Sequence, residues 1–91
     1  MEDTWFVYIL RCADGSYYTG ISQNLKERVE RHQTGRGAEY TKRRLPVELI
    51  YSEQAKNESE ARKREKWLKR RDKSQKEALI KKWSKASPEG G

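Results

Sequence analysis

Glu65, Tyr8, Tyr18, Arg28 and His32 are the residues of this 91-residue chain whose types and spacing could do chemistry. The segment from Glu58 to Arg71 has few apolar residues, chiefly Ala61, Trp67 and Leu68. At about 100° per residue on a helix, Glu65 falls between Ala61 and Leu68 on one face. A carboxylate there costs free energy unless it is paired or binds a cation. One reading pairs Glu65 with a nearby arginine, and the other makes it a metal ligand. Tyr8, Tyr17 and Tyr18 fall in strand-forming stretches, and Gly20 sits inside the second. A glycine within a strand marks a bulge or the close approach of another group. Arg28 and His32 lie one turn apart in the helix that follows. Between Arg62 and Lys76 nine of fifteen side chains are basic. That concentration suits a polyanion, most often nucleic acid, or alternatively a solvated outer helix face.

The elements that must position these residues follow from local pattern. W-F-V-Y-I-L (5–10) reads as a strand buried on both faces, and S-Y-Y-T-G-I (16–21) as its hairpin partner across Asp14-Gly15. A two-residue loop would pair Ala13 with Ser16 and put Tyr8 and Tyr18 on opposite faces. A three-residue loop with left-handed Gly15 would pair Cys12 with Ser16, Leu10 with Tyr18 and Tyr8 with Gly20, so that both tyrosines share a face. Asn24 with Glu27, Asn57 with Glu60 and Ser74 with Glu77 are spaced as helix N-caps, for helices over 25–33, 58–71 and one from about residue 74 onward. A polar loop, A-E-Y-T-K-R-R, leads to Pro46 and a third strand, V-E-L-I-Y (47–51). The order β-β-α-β-α-α predicts an α+β fold, a small three-stranded, mostly antiparallel sheet flanked by helices. Trp5, Trp67 and Trp83 are expected in the packing, Tyr17 in the core, and Cys12 as an inert strand thiol.

Composition narrows the class. Aromatics make up 10% of the chain, which argues for a packed core although 38% is charged. Residues 1–50 carry 8 basic and 7 acidic side chains, whereas residues 51–91 carry 13 and 7. No apolar run approaches a membrane span. The single cysteine excludes an internal disulfide, and the acidic N-terminus does not resemble an export signal. The expectation is a cytoplasmic single domain over residues 1–84, with 85–91 as a frayed tail.

Taken together these residues resemble the GIY-YIG nuclease family. Phe6-Val7-Tyr8 keeps the tyrosine of the first namesake triplet, and Tyr18-Thr19-Gly20 stands for the second, ten residues on. Arg28 matches the family's arginine and His32 its following His/Tyr position. S-E-A-R-K-R-E-K-W-L-K resembles the helix with the metal-binding glutamate, which aligns as Glu65 and not Glu60. The run G-x-G-A-x-Y-T-K-R-R-x-P-V-E-L-I-Y is similar to that of small single-domain bacterial members of the URI type. The resemblance covers roughly residues 4–83.

What the resemblance implies is metal-dependent hydrolysis of phosphodiester bonds in DNA, structure- rather than sequence-directed, in repair or recombination. Glu65 would hold one Mg²⁺ or Mn²⁺, and no small-molecule cofactor is implied. Arg28 would hold the non-bridging phosphate oxygens through its planar fork. A tyrosine, Tyr8 or Tyr18, would take the proton from the attacking water. Tyr8 is the expected base, with Tyr18 orienting water and His32 as the next hydrogen-bond partner. Such a site requires both tyrosines on one face and so predicts the three-residue loop. Tyr40, Lys42, Arg43 and Arg44 would flank the nucleic acid on one side, and Arg62, Lys66, Lys69 and Arg70 on the other. The chain would act as a monomer or a transient dimer on its substrate. The alternative is a nucleic-acid-binding module without catalysis on the same fold. A basic helix lying on a membrane is disfavoured, because Trp67 and Leu68 are too few to form a lipid-facing stripe.

Overall fold

The computed structural model describes residues 4–86. Seven elements occur in the order β1 (Trp5–Arg11), β2 (Tyr17–Ser22), α1 (Leu25–Gln33), α2 (Glu39–Lys42), β3 (Glu48–Ala55), α3 (Glu58–Lys69) and α4 (Lys73–Ala86). The sheet is wholly antiparallel with strand order β2-β1-β3. β1 is therefore central, which is why its sequence is apolar at every position from Trp5 to Leu10 rather than at alternate ones. Val7 and Ile9 point to one face and join Tyr51, Ala61 and Leu68 in a core covered by α3 and α4. Tyr8 and Leu10 point to the other and join Cys12 and Val47, with Tyr18, Leu25 and Val29 packed against them.

The hairpin takes the three-residue loop. Cys12 N donates to Ser16 O at 2.8 Å, Gly15 N donates to Cys12 O at 2.9 Å, and Gly15 adopts φ 85°, a left-handed backbone that favours glycine. Asp14 secures the turn by accepting from Ser16 N (3.0 Å) and Ser16 Oγ (2.6 Å). In this register Tyr8 faces Gly20 and Leu10 faces Tyr18, so Tyr8 and Tyr18 share one side of the sheet. Tyr17 points to the opposite side, half-buried against the core under α4.

Two of the expected caps are in place. Asn24 and Asn57 accept from the backbone N–H groups of Glu27 (3.1 Å) and Glu60 (2.9 Å). The cap of α4 differs from the expected Ser74 with Glu77. Asp72 and Gln75 cap each other's backbone N–H groups, at 2.8 and 3.1 Å, a reciprocal box two residues earlier.

The polar segment expected as a loop contains one helical turn, α2, with Thr41 fully buried. β3 starts one residue later than expected and runs four residues further, because Ser52–Ala55 pair with Trp5–Tyr8 of β1. A register shift between Ile9 and Leu10 lets Leu49 face Leu10 and Tyr51 face Ile9. Trp67 is not a packing residue: it is 40% exposed, with the guanidinium groups of Arg64 and Arg71 at 4.3 and 4.5 Å from its ring centroid. The buried stripe of α3 runs through Ala61 and Leu68, and Trp67 lies about 100° away from Leu68. Trp5 and Trp83 are half-buried against the core, as expected. Cys12 is buried, and burial raises its thiol pKa. Helix α4 extends through Ala86, and the remainder of the expected tail, 87–91, lies outside the described residues.

Candidate active site

β1, β2 and α1 bring Tyr8, Tyr18, Arg28 and His32 to one side of the sheet, while Glu65 comes from α3, which packs against β2 and β1 from the other side. Tyr8 is 1% exposed, and its hydroxyl lies 3.0 Å from His32 Nε2. The ring of Tyr8 crosses directly over Gly20, where an added Cβ would fall 2.6 Å from the tyrosine oxygen. The glycine of the second triplet is thus required for space. Tyr18, half-buried, packs against His32 with ring centroids 5.2 Å apart. His32 is fully buried, and its Nδ1 lies 2.8 Å from Thr41 Oγ1.

Arg28, one turn before His32, reaches Tyr8 as well. Burial pushes the Tyr8 pKa up, and the adjacent Arg28 guanidinium holds that rise back, while the charges of Tyr18 and Glu65 add to it. The Nε–H of Arg28 is buried without a hydrogen-bond partner. Glu65 is largely buried, its side chain 19% exposed, with Lys69 Nζ 3.3 Å away. It pairs with this lysine one turn on, rather than with an arginine.

Of the residues expected along the nucleic acid, the structure gathers some and disperses others. Tyr40 stacks on Tyr18 with centroids 6.1 Å apart, and Arg44 lies 3.8 Å over the Tyr40 ring while donating to Asp14 at 3.1 Å. Lys69 reaches the site through Glu65. Arg62 shares the helix face of Glu65 but pairs with Glu58. Arg43 pairs with Glu39 on α2, and Lys42, Lys66 and Arg70 are exposed. A groove of about 260 Å³ between Tyr18 and Tyr40 on one side and Lys69 and Lys76 on the other opens at the site. Sequence reasoning missed Lys76, whose ammonium burial and the Lys69 charge hold below the usual lysine range. It also missed Thr41 and Gly37. A Cβ at Gly37 would overlap the His32 ring. Both lie in the G-x-G-A-x-Y-T run, where no hydrophobic period marks a buried position.

The Tyr8–His32 pair has a consequence for stability. Burial, with the charges of Arg28 and Arg31, lowers the His32 pKa, and burial raises that of Tyr8, so the fold favours both groups neutral. The unfolded chain takes up a proton at histidine below about pH 6.5 and loses one from tyrosine above about pH 10. Their stabilising contribution is therefore level between those limits and declines on either side. Urea midpoints measured from pH 5 to 8 fall on the acid side, and the His32→Gln variant shows a shallower fall. Equal slopes in the two proteins would contradict a buried neutral histidine.

The antiparallel sheet carries two tyrosines on one face, the next helix an arginine and a histidine, and α3 a glutamate, and comparison with known proteins gives the class. Residues 4–89 match the GIY-YIG catalytic domain, and the chain belongs to that family. It is 49% identical over 79 residues to the UPF0213 protein of Staphylococcus aureus, covering 87% of this chain and 96% of that one. The solution NMR structure of a UPF0213 protein from Bacillus halodurans superposes with TM-score 0.55 at 36% identity, covering 86% of this chain and 83% of that one. A second NMR structure, of a protein from E. faecalis, gives 0.60 at 39% identity and 90% coverage of both. The family is one of nucleases, whose substrate is nucleic acid. Among the described residues no helix is long and apolar enough to cross a membrane.

Proposed function

We propose that this chain hydrolyses phosphodiester bonds in DNA with one divalent cation, Mg²⁺ or Mn²⁺, directed by DNA structure rather than base sequence, and that it serves repair or recombination. The observation that carries the reading is the unpartnered, buried Arg28 Nε–H beside Tyr8, with the Glu65 carboxylate close enough to act on the same tyrosine. A buried donor without an acceptor is costly unless a ligand supplies one, and a phosphate oxygen is suited to a guanidinium.

The residues fit a hard cation. Among the described residues no three His, Cys, Asp or Glu side chains cluster around a point, and by the family resemblance Glu65 would be the one protein ligand. Mg²⁺ is commonly held this way, by one or two carboxylates with water and substrate phosphate completing its shell. When bound, such an ion supplies Lewis-acid stabilisation of charge on the phosphoryl group and leaving oxygen. Arg28 holds the non-bridging oxygens. Tyr8 takes a proton from the attacking water while its own passes toward His32, and Tyr18 orients that water. Lys69 is released from Glu65 to the backbone of the strand, and Tyr40, Arg44 and Lys76 line its path. One site cuts one strand per visit, so cutting both takes two visits or a transient dimer.

The test is cleavage of labelled duplex, nicked, flapped and single-stranded DNA with either metal. Tyr8→Phe removes the base and lowers turnover by about 10² to 10⁴-fold, with binding retained. Binding weakens steeply with salt, because lysine and arginine release counterions from phosphates. Product from wild type alone supports the nuclease, and equal product from Tyr8→Phe refutes the site. Salt-sensitive binding with no cleavage of any substrate replaces the reading with a binding module.

A further inference from the structure

We infer that Thr41 is a positioning residue that fixes His32 in the Nδ1–H tautomer and so leaves Nε2 open to accept the Tyr8 proton. The inference rests on the nuclease reading for its purpose, but its geometry stands alone. Thr41 Oγ1 lies 3.0 Å from the carbonyl oxygen of Ala38, to which its hydroxyl donates. A hydroxyl has one proton. With that proton committed to Ala38, Oγ1 meets His32 Nδ1 at 2.8 Å as an acceptor, and the ring must place its N–H there. A neutral imidazole carries one N–H, so Nε2 is a bare lone pair facing the Tyr8 hydroxyl at 3.0 Å. The hydrogen bond therefore runs from Tyr8 to His32.

The opposite tautomer would donate from Nε2 to the tyrosine oxygen and leave the Tyr8 hydroxyl proton without an acceptor among the described residues. The far end of the relay is shut from water, since His32 and Thr41 are fully buried. The one-turn helix α2 carries Thr41, and Gly37 leaves open the space that the His32 ring fills. In the reaction, water gives a proton to Tyr8 oxygen as the Tyr8 proton moves to His32 Nε2. The resulting hydroxide forms the new bond to phosphorus, and the bond to the leaving oxygen breaks, the electron pair going to that oxygen, which takes a proton from solvent.

His32 is the single histidine of the sequence, so the imidazole nitrogens of the full ¹⁵N-labelled chain are read without ambiguity. At pH 7.5 a long-range proton–nitrogen correlation is expected to show a protonated Nδ1 and a bare Nε2. Thr41→Val keeps the shape, removes the acceptor and is expected to shift the population toward Nε2–H. The same change lowers kcat by about 10 to 100-fold with KM unchanged, within the range of general-base effects. Thr41→Ser retains both the spectrum and the rate. Thr41→Ala gives the same comparison if the valine variant does not fold. An Nε2–H or doubly protonated His32 in wild type overturns the inference, as does a tautomer that ignores loss of the hydroxyl. If wild type cuts no DNA the nuclease reading fails, while the spectrum still decides the tautomer.

Discussion

Glu65→Ala is expected to lower DNA cleavage by at least about 10³-fold and to leave the fold as stable as before. The two halves of that expectation have different causes. Glu65 holds a mostly buried carboxylate next to Ala61 and Leu68, both fully buried, and its ion-pair partner among the described residues is a half-exposed lysine at 3.3 Å. Such an i,i+4 pair contributes only about 0.3–0.5 kcal/mol, which the relief of desolvation offsets. Removing the side chain therefore changes the melting temperature little.

Metal linkage gives an independent readout. If Glu65 holds the cation, Mn²⁺ is expected to raise the melting temperature of the wild-type chain and to leave that of Glu65→Ala unchanged. Glu65→Gln, which keeps the shape and removes the charge, behaves like alanine if the carboxylate is the ligand. A variant that retains more than a tenth of the wild-type rate and the same metal response would remove Glu65 from the site.

Gly20→Ala is expected to cost both stability and turnover. The new methyl would sit 2.6 Å from Tyr8 Oη and 2.7 Å from Cζ. The ring has little room to move, because it is buried and its hydroxyl is tied to His32 at 3.0 Å. Overpacking of this kind costs about 1–3 kcal/mol. The displaced tyrosine loses its alignment with His32, and cleavage falls by about 10²-fold or more.

Gly15→Ala is the control. Nothing lies within 4 Å of a Cβ there, but φ is 85°, so the substitution strains the hairpin by roughly 1–2 kcal/mol without touching Tyr8. It is expected to lower the urea midpoint and preserve the rate per folded molecule. Gly20→Ala cleaving as fast as wild type would show that Tyr8 need not lie over the second strand.

The hairpin illustrates how far local sequence reaches. Asp14-Gly15 announces a turn in either register, and nothing within those residues separates a two-residue loop from a three-residue one. The need to bring Tyr8 and Tyr18 to one face selected the longer loop, and the backbone pairing of Cys12 with Ser16 agrees. In α4 the opposite happened. Both Asp72/Gln75 and Ser74/Glu77 have cap spacing, and the first pair forms the box. The polar half of β3 carries no alternating pattern, and it is a strand because β1 supplies its partners.

The sequence by itself determined the buried central strand, the helix starts at Asn24 and Asn57, and the tyrosines, arginine, histidine and glutamate that meet at the site. The strand and the helix starts rest on a period or on a side chain bonding to backbone three residues away, which are local quantities, whereas the site residues rest on the resemblance to the GIY-YIG family. Only the tertiary structure decided that Trp67 faces solvent, that Gly20 and Gly37 make room for Tyr8 and His32, and that Thr41 holds the far side of the histidine. These depend on which surfaces meet across the sheet: Tyr8 and His32 are 24 residues apart in the chain and joined by one hydrogen bond. No local pattern encodes a contact of that range, because its energy exists only once both elements are packed.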